Sequence, residues 1–285
     1  MSDSVALRIR QIVDADLPAV ADLLKSGFRW RSARYWLRGL RRQVDRPQPA
    51  GTPRYGYLLE SAGRPVGAIL LFFSSLPSGE NIVLRCNLSS WFVMPEFRAL
   101  GPLLVSSAIK NEKITYFNIS AAPHTWPIVE AQGFSIYCRG EMLAIPALAR
   151  PVDNVTIDLA TNSSWLENMP ERDLLLQHAK LSCLSLVLRC DEKIHPFIFH
   201  RYRIKRVLPT YQLIYCRDMA EFVRFAGNLG RFLLLQKATS FVLVDANGRV
   251  PGLAGIYTER RGRKYAKGPH VPKLGDLAYS ENVFF

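Results

Sequence analysis

The chain has 285 residues, room for one large domain or two ordinary ones. Hydrophobic residues make up 48% and charged residues 21%, which excludes a disordered or collagen-like chain. Charge is the outlier: 37 Lys+Arg against 24 Asp+Glu leave +13 at pH 7, an excess that suits an anionic partner without choosing among nucleic acid, a membrane surface and a phosphorylated cofactor.

Leu7–Ile12 alternates apolar and polar residues and reads as a strand. Asp14 then offers an N-cap for a helix through Leu17, Val20, Ala21 and Leu24. Between Phe28 and Arg46 arginines mix with Trp30, Tyr35 and Trp36, the pattern of a basic amphipathic helix that a Pro/Gly stretch ends. Tyr55–Ser61, Val66–Phe73 and Ile82–Val93 read as strands. A helix is expected from Pro102 to Asn111, a strand over Ile114–Ser120, a helix over Thr125–Gln132 and a strand over Ser135–Arg139. Such apolar strands and helices bury one another in a mixed α/β sheet flanked by helices. Pro146–Asn154 is the linker candidate, dividing the chain into a domain over 1–145 and a second, smaller α/β domain over 155–285. In that half, Trp165–Cys183 suggests a helix, and Leu184–Arg189, Pro196–Tyr202 and Gln212–Arg217 suggest strands. Asp218 is a candidate cap for one long helix, Met219–Gln236, and Phe241–Asp245 is a further strand. Strand, long helix, strand repeats the order of Ile82–Ser120 and suggests a structural duplication.

Five scattered cysteines (Cys86, Cys138, Cys183, Cys190 and Cys216) contain no C-x-x-C pair, which favours buried thiols over a disulfide framework or a zinc site. The N-terminal sequence lacks the pattern of a signal peptide, and no apolar run reaches the roughly 18 residues of a spanning helix. A cytoplasmic protein is expected. His195 and His200 sit near Asp191 and Glu192, but Pro196 and the run after it argue against shared metal ligation. The basic cluster Arg260, Arg261, Arg263, Lys264 and Lys267 reads as an exposed loop. No Gly-x-Ser-x-Gly elbow, Walker loop or His-Glu-x-x-His is present.

The informative segment is Leu88–Leu104, LSSWFVMPEFRALGPLL. A strand ends, a short turn carries an arginine and a glycine, and a helix begins, an arrangement that suits a pyrophosphate. Arg98-Ala99-Leu100-Gly101-Pro102-Leu103, following Trp91-Phe92-Val93 and Pro95-Glu96-Phe97, resembles the cofactor motif of the GNAT superfamily of acyl-CoA N-acyltransferases. Glu130-Ala131-Gln132-Gly133-Phe134 resembles its second motif, a helix closing on Gly-Phe. The resemblance covers about the first half of the chain, and the second half has the outline of a degenerate repeat.

The resemblance implies that Trp91, Phe92 and Val93 pair their backbone with the pantetheine arm of acetyl-CoA or another acyl-CoA. It also implies that Arg98, Ala99, Leu100, Gly101 and Leu103 bind the pyrophosphate, with Lys110 or Lys113 near the adenosine phosphate. No metal is implied. Leu103 departs from the usual Gly or Ala, and Pro102 supplies no amide. Val129 stands where many members have a tyrosine acid, and Asn87 where some have a glutamate base. Asn118, Ser120 and His124 are the polar candidates for catalysis: Asn118 to hold the thioester or a water, Ser120 to donate to the leaving sulfur, His124 as base. The expected function is transfer of an acyl group to an amine of a small molecule or protein. The alternative is a non-catalytic acyl-CoA-binding or scaffold protein. The arginine-rich stretch 29–46 would cover the acceptor end, and nucleic acid is the third reading.

Overall fold

The computed structural model describes residues 7–78, 81–167, 169–204 and 207–285. Met1–Ala6, on which the reading of the N-terminus partly turns, lie outside the described residues. The first part of the chain forms β1 (Leu7–Gln11), α1 (Leu17–Gly27), α2 (Ala33–Arg42), β2 (Gly56–Ser61), β3 (Arg64–Ser78), β4 (Asn81–Val93), α3 (Gly101–Ala108) and β5 (Thr115–Asn118). It continues through α4 (Trp126–Ala131), β6 (Ser135–Cys138) and β7 (Gly140–Ala144). The second part forms β8 (Val155–Leu159), α5 (Arg172–Lys180), β9 (Leu184–Cys190), β10 (Lys193–Ile204), β11 (Leu208–Cys216), α6 (Met219–Arg224) and α7 (Ala226–Lys237). β12 (Val242–Ala246), β13 (Gly255–Thr258), β14 (Lys264–Lys267) and α8 (Glu281–Phe284) complete it.

Two compact units result, one made of 1–119, 266–271 and 279–285, the other of 120–265 and 272–278. The second takes the longer share of the chain, not the shorter one expected, because it gathers β6 and β7 with the rest of the second half.

In the first unit β1, β2, β3 and β4 pair antiparallel in chain order, and β5 joins β4 in parallel. A Cβ on Gly27 of α1 would overlap the Phe92 ring, whereas one on Gly101 of α3 would meet Trp91 and Val93. Successive strand residues face opposite ways, so α1 and α3 cover opposite faces of β4. Leu24, Leu40, Leu58, Leu70, Phe72 and Phe117 are buried in this unit. Asp14 does not cap α1: it opens a 3-10 turn and its carboxylate accepts from the Tyr55 hydroxyl, while Asp16 accepts from the Val13 amide. α2 is capped by Ser32, whose Oγ accepts from the Tyr35 amide at 3.2 Å.

The second unit holds a seven-stranded sheet in the order β13-β7-β12-β11-β10-β9-β8, with β11 and β12 its parallel pair. Phe197, Phe199, Phe222, Phe225, Leu229 and Leu233 lie in its core. The order β8 to β12 repeats that of β1 to β5, including the parallel fifth strand. β7 enters the second unit's sheet beside β12, a place its position in the chain does not announce. Pro146–Asn154, expected to link domains, lies within this unit: Gly227 and Gly230 of α7 approach the backbone of 146–151 so closely that a Cβ would overlap it. The long helix expected over Met219–Gln236 is two helices, broken at Phe225, with Asp218 capping the first at 2.9 Å from the Ala220 amide. The helix expected from Trp165 shrinks to α5.

The cluster read as an exposed loop contains β14, and Lys264 is buried against Asp245 at 2.8 Å. Arg263 stacks on the Trp126 ring at 3.7 Å. All five cysteines are buried free thiols. No helix among the described residues is long and apolar enough to cross a membrane.

Candidate functional site

β4 is the centre of the site, and its shape comes from one extra residue. Ala68 pairs with Phe92 but Leu70 pairs with Ser89, so β4 carries a bulge at Ser90–Trp91. Ser90 takes φ +49°, a left-handed conformation that a serine adopts at a cost in backbone energy. The bulge bends the strand away from β5: their pairing runs from Arg85↔Thr115 to Asn87↔Phe117 and ends there, although β4 continues to Val93. The parallel strands therefore part beyond Asn87 and leave β4 backbone able to pair with an extended ligand.

Trp91, Phe92 and Val93 line the parted end of β4. Trp91 packs against Gly101, whose Cβ would come within 3.0 Å of its ring, and its indole Nε1 is buried without a hydrogen-bond partner among the described residues. Such an unmet donor carries a free-energy cost that a bound acceptor removes. Gly101 has helical φ of −54°, so backbone freedom is not what favours glycine there; a Cβ would press on the Trp91 ring, which would have to give by a few tenths of an ångström.

Pro95–Leu100 is a 3-10 helix that runs straight into α3. The Gly101 amide consequently donates to the Arg98 carbonyl instead of pointing outward. With Pro102 lacking an N–H, the turn offers fewer free amides than its sequence suggests. Arg98 and Ala99 are exposed, Leu100 is half-buried and Leu103 is 56% exposed. Arg98 carries an exposed guanidinium on this turn, a group chemically able to hold an anion. Lys110 and Lys113 are exposed beyond α3.

The three catalytic candidates divide between the units. Asn118 ends β5 in the first and is half-buried, whereas Ser120 and His124 are exposed residues of the second, His124 in the 3-10 turn Pro123–Thr125. Gly133 takes φ +83° and closes α4, a conformation that favours glycine. Val129, on that helix, is buried and carries no proton to give. Asn87 is fully buried and its amide is occupied: Nδ2 donates to the Leu88 and Phe117 carbonyls, both at 3.2 Å, and Oδ1 accepts from the Glu281 amide at 2.8 Å.

Sequence reasoning missed α8. It brings Glu281 to β4, where its carboxylate accepts from Ser89 Oγ, which lies 2.9 Å from Ser90 Oγ. Phe284 stacks on Phe72 with ring centroids 5.2 Å apart, and Phe285 packs against Tyr35 and Trp36 of α2. The only signal available was an apolar Val-Phe-Phe after a lone carboxylate, too short to read. Along the exposed side of α2, Arg34, Arg38, Arg41 and Arg42 line a cleft of about 700 Å3 with Tyr35 and Asp45.

The second unit repeats the bulge: Ile198 pairs with Tyr215 but Phe199 with Leu213, leaving Ile214 extra on β11. Here, however, the parted strand is occupied by the chain itself. Leu277 donates to the Ile214 carbonyl at 2.7 Å, Cys216 donates to the Gly275 carbonyl at 2.9 Å, and Tyr215 bridges Asp276. The β11 backbone at Ile214–Cys216 is thus taken up by the chain itself. His195 is buried against Phe225 and lies 3.1 Å from Glu221, and no group of three metal-ligating side chains occurs among the described residues.

No protein-family model matches the chain, and no curated protein matches it by sequence. Solved structures do match. A GCN5-related N-acetyltransferase from Kribbella flavida superposes with TM-score 0.57 at 13% identity, over 93% of this chain and 72% of that one. A candidate acetyltransferase from Pyrococcus horikoshii gives 0.56 at 11% identity, over 98% and 96%. A GCN5-related N-acetyltransferase from Anabaena variabilis gives 0.55 at 9%, over 92% and 72%. At such identities the likeness establishes the fold, a two-unit GNAT fold spanning nearly the whole chain.

Proposed function

We propose that the protein transfers an acyl group from acyl-CoA to an amine, with the donor bound along β4 of the first unit. The observation that carries this reading is the parting of β4 from β5 after Asn87, opposite a bulge at Ser90 and beside a turn bearing Arg98. An extended pantetheine arm would add its amides to the free edge of Trp91–Val93, and Arg98 would hold the pyrophosphate with Ala99, Leu100, Gly101 and Leu103 around it. The resemblance to N-acetyltransferases in fold supports acetyl-CoA as the donor.

Transfer by direct attack asks the protein chiefly to hold amine and thioester together. The ammonium must also lose a proton, the nitrogen a second one as it becomes an amide, and the leaving sulfur must gain one. Asn118 at the end of β5 would orient the thioester. The arginine-lined cleft of α2 suits an acceptor that carries an anionic group besides its amine.

Two features favour the second reading, an acyl-CoA-binding protein without turnover: Val129 offers no proton, and the Asn87 amide is committed to backbone partners. A thiol-release assay with acetyl-CoA and a panel of amines separates the two. Amine-dependent release of CoA is expected; binding of acetyl-CoA with no release for any amine would establish the non-catalytic reading.

A further inference from the structure

The proton that leaves the acceptor amine needs a destination, and Asn87, which stands where the resemblance implies a carboxylate in some members, is an amide that cannot take it. The structure shows a carboxylate arriving there from elsewhere. Asn87 Oδ1 accepts from the Glu281 amide at 2.8 Å, and the Glu281 side chain turns onto Ser89, one residue before the bulge. Asn87 and Ser89 alternate along β4 and so present the same face. Phe72, which pairs with Asn87 on the neighbouring strand, stacks on Phe284 of α8, and Phe285 rests on Trp36 of α2. α8 is therefore laid on that face of β4 and touches α2. Glu281 is only partly buried. Beside it the Ser280 hydroxyl is fully buried and has no hydrogen-bond partner among the described residues. From α2, Arg42 reaches α8, its Nη1 donating to the Phe284 carbonyl at 3.3 Å.

We infer that the Glu281 carboxylate is the base that takes the proton from the acceptor ammonium, a role that rests on the acyl-transfer reading above. Asn87 and Ser89 are positioning residues for it: one fixes the backbone of α8, the other the carboxylate. In the reaction the ammonium gives its proton to Glu281, and the freed lone pair forms the bond to the thioester carbon. The C–S bond breaks with its electron pair going to sulfur. The nitrogen's second proton ends on that sulfur, and Glu281 passes its own to solvent. Atoms and charge balance without any further reactant.

The test compares two amines that differ in their need for a base. Hydroxylamine is neutral at neutral pH, whereas benzylamine is almost wholly protonated there. Thiol release from acetyl-CoA is measured with each, for the full chain, Glu281→Gln and Glu281→Asp, with acetyl-CoA binding followed by calorimetry in parallel. Glu281→Gln is expected to lower the ratio of benzylamine to hydroxylamine turnover by on the order of 100-fold, the low end of what general base catalysis contributes. Glu281→Asp, a shorter acid, is expected to restore part of that ratio. A ratio equal to that of the unaltered chain overturns the assignment, as does an equal loss with both amines or transfer to neither by a chain that binds acetyl-CoA. A chain that binds no acetyl-CoA refutes the acyl-transfer reading itself, and the base falls with it; calorimetry tells the two failures apart.

Discussion

Arg10 shows how a single residue ties the first strand to its neighbours. Its guanidinium holds Asp16 at 2.6 Å and Glu60 at 2.8 Å, and the hydrogen bonds to Arg10 keep both carboxyls below their ordinary ranges. A carboxyl whose folded pKa is depressed stabilises the fold above its unfolded value near 4 and loses that contribution as pH falls. Stability measured by urea unfolding is therefore expected to drop below about pH 4, and Arg10→Leu is expected to flatten that acid limb while lowering stability at neutral pH. An unchanged limb in the variant would show that the pair does not hold β1 to β2. Lys264 and Asp245 form the second unit's buried pair, each side chain only 3% exposed. Burial pushes the Asp245 carboxyl up, and Asp245 keeps Lys264 charged against the same burial. Removing one partner strands a buried charge, so Lys264→Met should cost roughly 3–5 kcal/mol, whereas the double change to Met and Leu should recover most of it. Thermal unfolding of the two variants checks this, and equal losses in both would contradict it. None of this was legible in sequence. Lys264 sits in a run of five basic residues, and nothing local distinguishes the one that a distant Asp buries.

At the scale of elements, periodicity carried the strands and helices of the first half, from Leu7 to Gly133. It failed wherever the reason lay elsewhere in the chain. The apolar run from Met219 to Gln236 does read as one helix; the structure breaks it at Phe225, and α7 beyond the break passes close to the 146–151 backbone. Gly227 and Gly230 permit that approach. Gly230→Ala adds about 1 kcal/mol of helix propensity, but its Cβ would stand 2.1 Å from the Ala147 nitrogen. Overpacking of that kind costs roughly 1–3 kcal/mol, so the variant should be net less stable by thermal unfolding; a gain in stability would mean that the 146–148 turn moves aside freely. β7 and β13 escaped notice because each is four or five residues long and is stabilised by a strand far away in sequence, and β14 because it is only four residues long. The Arg98–Gly101 motif was legible as residues. That the 3-10 helix before α3 consumes the Gly101 amide was not, because the spacing is the same for an open turn and a wound one.

For the whole molecule, the repeated strand order and repeated bulge make the duplication visible in three dimensions where no residue repeat announces it. The two slots differ in what fills them. In the second unit Gly275–Leu277 pairs with Ile214–Cys216 of β11, whereas in the first the pairing of β4 with β5 stops at Asn87 and no such segment pairs with the strand beyond it among the described residues. The expectation is therefore one donor site per chain. The catalytic group argued from α8 also belongs to this scale, since Glu281 and Asn87 stand 194 residues apart. The most direct measurement is calorimetric titration of acetyl-CoA into the full chain and into Arg98→Glu, an exposed position whose change spares the core. One site per chain with micromolar affinity, about 8 kcal/mol of binding free energy, weakened at least about tenfold in the variant, is the predicted result. No binding to the unaltered chain, or equal binding to both, would contradict the site on β4.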